Sequence, residues 1–194
     1  VPSYSHVHSN VSESSTTAIA AVKETCSVCG NVSKSLPTFD FTENRYGACS
    51  YNYTADSDFA TSLMQVTATS LSYKTYELDH VFSYTLPRIK FSDFSQTTIS
   101  LSSDNWYERI GFGFSQEEAA TRENHTTYGG SKTGTLKFVW AEDTLNVQFS
   151  FEYVTLNGTV SDADVINGTK GFSLYSTSGY DRFLTFKDFT LVLK

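Results

Sequence analysis

The strictest pattern in the chain is an alternation of apolar and polar side chains over residues 145–153. It follows a first stretch, residues 136–140, in which Leu136, Phe138 and Trp140 alternate with Lys137 and Val139. In the second stretch every odd-numbered residue is apolar and every even-numbered residue is polar. A period of two places all the apolar residues on one face of a β-strand. The short segment 141–144 between the stretches has the residues of a turn, so the pattern predicts a β-hairpin.

The chain after residue 35 indicates further short strands separated by turn residues. The last strand covers residues 183–193, and its alternation shifts near Lys187 and Asp188, which predicts a bulge. A capping-box pattern at residues 115–118 predicts one or two helical turns. The other predicted strands cover residues 39–42, 50–54, 63–72, 80–86, 88–94, 97–102, 106–115 and 170–177.

Ten or eleven short strands of this kind predict an all-β fold, namely an antiparallel jelly-roll-like sandwich or barrel. The cadence of the closing strands resembles that of concanavalin-like and carbohydrate-module sandwiches. This resemblance is one of cadence only, so it implies a fold and no particular activity.

Aromatic residues are distributed unevenly along the 194 residues. All 15 Phe and both Trp follow residue 35, whereas the first 35 residues include a run rich in Ser and Thr at positions 9–17. We therefore predict two parts. The first is an extended Ser/Thr-rich N-terminal tail over residues 1–35, a possible donor strand. The second is a single β-sandwich or jelly-roll domain over residues 36–194.

Six of the nine asparagines head the N-glycosylation sequon Asn-X-Ser/Thr. Since Ser and Thr make up 52 of the 194 residues, chance would give about 2.4 sequons. The excess predicts a secreted glycoprotein, extracellular or at the cell surface, with N-glycans at exposed positions. The six residues are Asn10, Asn31, Asn52, Asn124, Asn157 and Asn167.

The three cysteines, Cys26, Cys29 and Cys49, leave one thiol over after any pairing. We expect one structural disulfide that joins Cys49 to Cys26 or to Cys29. The remaining cysteine is then buried or bonded to another chain, and the spacing does not choose between these alternatives.

Several function classes are disfavoured by what the sequence lacks. A net charge of −7 with 14 Lys and Arg argues against nucleic-acid binding, and the longest apolar run, residues 18–22, is too short for a membrane span. Nucleophile, phosphate-binding and zinc-hydrolase motifs are missing, so we expect no enzyme, no catalytic residue and no cofactor. Asp162 and Asp164 have the spacing of a calcium loop but not its further ligands, so we expect no metal site.

The N-terminal tail suggests a way to assemble. A β-sandwich with an open edge or an incomplete groove can accept an extended segment from another copy, and a head-to-tail contact propagates into a filament. We therefore expect a structural or adhesive protein that forms a homo-oligomer or filament through this tail. A tail lying on its own domain and a short helix over residues 18–24 are the alternatives. Four tail residues would fit such a groove: Ala18, Ile19, Ala20 and Val22.

A carbohydrate-binding module is the alternative function. An exposed aromatic ring can stack on a sugar, and the candidates are Trp106, Tyr107 and Tyr180. Most of the 29 aromatic side chains must form the core, however, so any single ring is more easily explained by packing.

Overall fold

Hydrogen bonds between neighbouring strands join the chain into three antiparallel sheets in a computed structural model. The structure describes residues 9–43, 46, 51–52, 64–75, 80–103, 111–121, 131–178 and 182–194. Two larger sheets enclose a common hydrophobic core, which confirms the prediction of an all-β sandwich.

The described residues form fourteen strands and two short α-helices. The strands are β1 (Asn10–Glu13), β2 (Val22–Cys26), β3 (Val32–Ser35), β4 (Tyr51–Asn52), β5 (Met64–Val66), β6 (Ser70–Thr75), β7 (His80–Thr85), β8 (Phe94–Ser103), β9 (Phe112–Gly113), β10 (Lys132–Ala141), β11 (Thr144–Phe151), β12 (Val154–Val160), β13 (Ser173–Ser178) and β14 (Arg182–Leu193). The helices are α1 (Gln116–Thr121) and α2 (Ala163–Ile166).

The strand order defines the edges of each sheet. The largest sheet has seven strands in the order β12-β11-β10-β8-β14-β6-β5. The opposing sheet has four strands in the order β4-β7-β13-β9. Strands β1, β2 and β3 form a separate small sheet in that order, which we call the N-terminal sheet.

The predicted hairpin is formed by β10 and β11. Leu136 lies opposite Phe149, and Phe138 lies opposite Val147, with all four side chains buried. Strand β11 ends at Phe151, however, so the prediction of a strand through residue 153 is two residues too long. The backbone turns at Glu152, where φ is 53°, and leaves the following Tyr153 76% exposed.

Other predictions for single elements had mixed outcomes. The bulge near Lys187 is confirmed by a register shift in β14, and the helix after Ser115 is confirmed as α1. The predicted strand over residues 39–42 is wrong, because Phe41–Glu43 forms a 3-10 turn. The predicted strand over residues 88–94 is also wrong, since Phe91–Asp93 forms a second such turn. Each turn inserts a single buried Phe into the core, so no alternating pattern is needed.

Aromatic rings fill the space between the two larger sheets. Tyr73 of β6 meets Tyr84 of β7 edge to face, with ring centroids 5.6 Å apart. Phe112 of β9 and Phe149 of β11 are 4.7 Å apart. Such pairs add about 0.5–1.5 kcal/mol each beyond the burial of their area. The hydroxyl of Tyr73 donates to the backbone carbonyl of Thr85 at 2.8 Å, which offsets the cost of burying that hydroxyl.

The sandwich interface should therefore be sensitive to truncation of a ring. Phe149→Ala removes a fully buried ring between the sheets and is expected to lower the free energy of unfolding by about 3–5 kcal/mol. Tyr153→Ala, at the exposed end of the same hairpin, is expected to change it by less than about 0.5 kcal/mol. Urea unfolding followed by fluorescence measures both values, and equal effects would contradict this description of the core.

Candidate functional site

Residues 18–21, which we call the docked segment, lie buried against the sandwich. Their side chains are 1–7% exposed, and Ile19 is the deepest at 1%. Ile19 forms an isolated parallel β-bridge with Ile89. Its backbone nitrogen donates to the carbonyl of Arg88 at 2.8 Å, and its carbonyl accepts from the nitrogen of Lys90 at 2.9 Å. A single residue of the segment is therefore held by both its side chain and its backbone.

Two charged side chains of the domain hold the backbone on either side of this bridge. The carboxylate of Asp93, which is 5% exposed, accepts a hydrogen bond from the nitrogen of Ala21 at 3.1 Å. The guanidinium of Arg88 donates to the carbonyl of Thr17 at 2.7 Å. These bonds recognise main-chain atoms, so they hold an extended chain with little demand on its side chains.

A glycine lets the docked segment approach the domain closely. A Cβ atom at Gly168 would lie 3.1 Å from the Cβ of Ala18, and the backbone at Gly168 has a φ of +74°. A side chain at this position would therefore be strained and would crowd the segment. Sequence analysis did not identify Gly168, Ile89 or Asp93 as parts of this site, because nothing in the local sequence marks the groove that they form.

The structure brings three of the four predicted tail residues into this groove. Ala18, Ile19 and Ala20 are buried there, while Val22 is half-buried in β2. Residues 22–26 form a strand, so the alternative of a helix over residues 18–24 is not observed. In the single chain the segment contacts its own domain; whether it joins another copy stays a prediction.

The strands of the N-terminal sheet lie on both sides of the docked segment in the sequence: β1 precedes it, and β2 and β3 follow it. All side chains of β1 and β3 are exposed, including Val11 at 57% and Val32 at 59%. Small antiparallel sheets usually need an apolar face packed against something to be stable. The buried docked segment lies between β1 and β2, so it is the anchor that ties this sheet to the sandwich.

The described sequon asparagines are exposed, as a glycan requires. They are Asn10, Asn31, Asn157 and Asn167. Asn52 lies in β4, with a side chain outside the described part of the structure, and Asn124 lies outside the described residues. The side-chain oxygen of Asn157 accepts a hydrogen bond from Gln148 at 2.9 Å. This hydrogen bond uses only the side-chain oxygen and not the amide nitrogen, which is the atom that would carry the glycan.

The cysteines are only partly placed by the structure. Cys26 is buried at the end of β2, and Cys29 is exposed in the turn that follows. Cys49 lies outside the described residues. The predicted disulfide to Cys49 therefore stays a prediction.

The aspartates with calcium-loop spacing have structural partners instead. One carboxylate oxygen of Asp162 caps α2 by accepting from the nitrogen of Asp164 at 2.9 Å, and the other accepts from Lys170 at 3.0 Å. Asp164 accepts from the hydroxyl of Thr169 at 2.8 Å. Within the described ranges, no three His, Cys, Asp or Glu side chains come together to bind a metal.

The three aromatic residues predicted to bind sugar, Trp106, Tyr107 and Tyr180, lie outside the described residues. The structure shows other rings at the surface that sequence analysis missed. Phe114 and Tyr175 line an open cleft of about 240 Å³, together with the Asp162–Lys170 ion pair. Aromatic and charged groups around one cleft can bind a polar ligand.

The Asp162–Lys170 pair predicts a measurable pH dependence of stability. The hydrogen bond from Lys170, followed by that from the Asp164 nitrogen, lowers the pKa of Asp162, and the bond to Asp162 raises the pKa of Lys170. The lowered pKa of Asp162 means that the stabilisation is present above the pKa of the unfolded chain. It disappears as the pH falls through the folded-state pKa. Because the pKa of Lys170 is raised, its share is lost only in alkali.

Two substitutions separate the helix cap from the ion pair. Asp162→Asn keeps a capping oxygen but removes the charge, whereas Asp162→Ala removes both. The expected order of melting temperatures at pH 7 is wild type, then Asp162→Asn, then Asp162→Ala. The gap between wild type and Asp162→Asn should close in acid. Asp143→Asn, at an exposed turn, is the matched control, and a gap that persists unchanged at low pH would contradict the assignment.

Neither described helix is long and apolar enough to cross a membrane.

No protein-family model matches this chain. No curated protein matches it with significance. One solved structure, described as that of a functionally unknown protein from Saccharomyces cerevisiae, aligns with a TM-score of 0.30 and 11% sequence identity. The alignment covers 75% of this chain and 96% of that chain, and at this TM-score it carries no argument about function.

Proposed function

We propose that this chain is a secreted, N-glycosylated structural or adhesive protein that assembles outside the cell. In the assembly the N-terminal segment of one copy adds to the β-domain of the next and so builds a filament. The docked segment carries this proposal. It occupies a groove through one isoleucine, main-chain hydrogen bonds and three alanine side chains, which is the chemistry by which an extended segment adds to a β-domain.

Exchange of the segment between copies requires only a change at the linker. The groove contacts made by residues 18–21 are the same whether the segment comes from its own chain or from a neighbour. The chain between β3 and the first buried ring includes Leu36 and Thr38, which are exposed, with Pro37 between them. Proline favours an extended backbone, so this linker is suited to carrying the N-terminal sheet away from its own domain.

The distribution of sequons supports the extracellular part of the proposal. Six of nine asparagines head a sequon, and the four with described side chains are exposed. Glycans at these positions would keep a chain with only 18% charged residues soluble outside the cell. Occupancy is measured by mass spectrometry of peptides from protein secreted by a eukaryotic host.

Ile19→Asp is expected to abolish assembly of the full chain. A buried isoleucine contributes about 1.5–3 kcal/mol, so its loss weakens the joint by at least tenfold before the cost of burying the charge is added. The measurement is the mass of the particles by light scattering across a range of concentrations, with negative-stain electron microscopy for filaments.

Val28→Asp is the matched control, since Val28 is 62% exposed in the turn after β2 and should assemble like the wild type. A chain that starts at Leu36 lacks the whole N-terminal sheet and is expected to stay monomeric. Wild-type protein that is monomeric at every concentration would overturn the proposal. Filaments of Ile19→Asp would show that the docked segment is not the joint.

Carbohydrate binding is the second candidate function, and the cleft beside Tyr175 favours it. The ring of Tyr175 is half-buried there next to charged Asp162 and Lys170, an arrangement suited to a hydroxyl-rich ligand. Tyr175→Ala should abolish any signal on a glycan array, while Tyr153→Ala, at an exposed and distant ring, should retain it. Retained binding by Tyr175→Ala would exclude this cleft.

A further inference from the structure

We infer that the N-glycans of this protein hinder other chains from pairing with the open edges of its sheets. Three of the five sequon asparagines that the structure describes lie within strands, and each of these strands is at the edge of its sheet. Asn10 lies in β1 of the N-terminal sheet, Asn52 in β4 of the four-stranded sheet and Asn157 in β12 of the seven-stranded sheet. Asn31 directly precedes β3, the other edge of the N-terminal sheet.

This placement is not what chance would give. Edge strands supply 22 of the 85 residues in the described strands, yet they hold every sequon asparagine found in those strands. Asn146 provides the contrast, because it lies in the interior strand β11, next to the edge strand β12, and is followed by Val147 and Gln148, so it heads no sequon.

The two edge strands without a sequon are short over the residues that the structure describes, as β4 is. Strand β5 has three residues and β9 has two. Helix α1 also lies against β9, since a Cβ atom at Gly113 would be 2.6 Å from the nitrogen of Ala119. Short or covered edges are a common protection against pairing with another chain.

Strand β12 shows why an edge needs protection against pairing with another chain. Its seven residues, Val154–Val160, contain no charge and no proline, and they pair with β11 in continuous register without a bulge. Such a strand presents a regular row of unpaired main-chain groups, which is a template for pairing with another chain. Asn157 is its middle residue, and its side chain bonds to Gln148 across the sheet face, so a bulky hydrated glycan there would hinder a second strand from that face.

The same arrangement appears on the N-terminal sheet. Asn10 lies directly opposite Cys26 in the register of β1 and β2, and the nitrogen of Cys26 donates to the carbonyl of Asn31 at 2.8 Å. The two sequons therefore flank the same position of the central strand, one at each edge of the sheet. Among the described strands, four of the six sheet edges therefore carry a sequon.

This inference rests on the glycosylation in the proposed function, and it adds the role of each position. The test begins with Asn157→Gln in the full chain, secreted from a eukaryotic host. The variant should lose one glycan and lose soluble protein several-fold faster than the wild type on incubation, with binding of a β-aggregate dye. Thr159→Ala removes the same sequon while Asn157 stays in place, and it should behave in the same way.

Relocation of the glycan separates the effect of its position on solubility from the effect of its mass. Gln148→Thr makes Asn146 the head of a sequon on the interior strand β11, so Asn157→Gln combined with Gln148→Thr keeps the number of glycans. The combined variant should aggregate as fast as Asn157→Gln alone, and Gln148→Thr by itself is the control. Asn157→Lys, which places a charge on the edge instead of a glycan, should stay soluble. This last variant also shows that a loss of folding does not cause the aggregation.

The outcomes distinguish this inference from the proposed function. Glycosylated wild-type protein whose Asn157→Gln and Thr159→Ala variants stay as soluble as the wild type would overturn edge protection and leave a glycoprotein. Full rescue by the relocated glycan would overturn it as well, because mass rather than position would then matter. Absence of glycan from every sequon of the secreted chain would overturn the glycoprotein itself and this inference with it.

Discussion

The packing of aromatic rings between the two larger sheets is the interaction on which the rest of this structure depends. Tyr73 on one sheet and Tyr84 on the other, like Phe149 and Phe112, bury their rings in a common layer. A sandwich made in this way is open, whereas a closed barrel has no edges. The core therefore creates strand edges that the surface must protect, and the exposed positions of β12 hold no charge that could do so.

Sequence patterns predicted secondary-structure elements best where a local rule decides the structure. The hairpin of β10 and β11 follows from the alternation of its side chains, and α1 follows from Ser115, whose hydroxyl accepts from the nitrogen of Glu118 at 3.2 Å. The bulge in β14 followed from a shift of phase, and the backbone there reaches a φ of 51° at Asp188. In each case the information lies within a few neighbouring residues.

The candidate site could not be predicted in the same way, because its contacts join distant parts of the chain. Ile19 and Ile89 are 70 residues apart, and the groove also needs Asp93 and the small residue Gly168. Strand β12 was missed for a related reason. Its Asn157-Gly158 pair is typical of a turn, but pairing with β11 holds it in a strand. The sequons were visible in the sequence, yet their place at sheet edges appears only with the strand order.

In the proposed function, glycans at the strand edges and the docked segment together determine which contacts form between copies. An exposed strand edge pairs with any other edge, so an assembly built on edges has no fixed geometry. The groove holds the docked segment through the burial of Ile19, the carboxylate of Asp93 and the close approach at Gly168, which are contacts that a bare strand edge does not offer. The specificity of assembly is set by the difference in binding free energy between the groove contact and the competing contacts. In the proposed assembly, glycans at the strand edges would therefore favour the groove contact over edge pairing, and the sequon at Asn167 lies beside the groove itself.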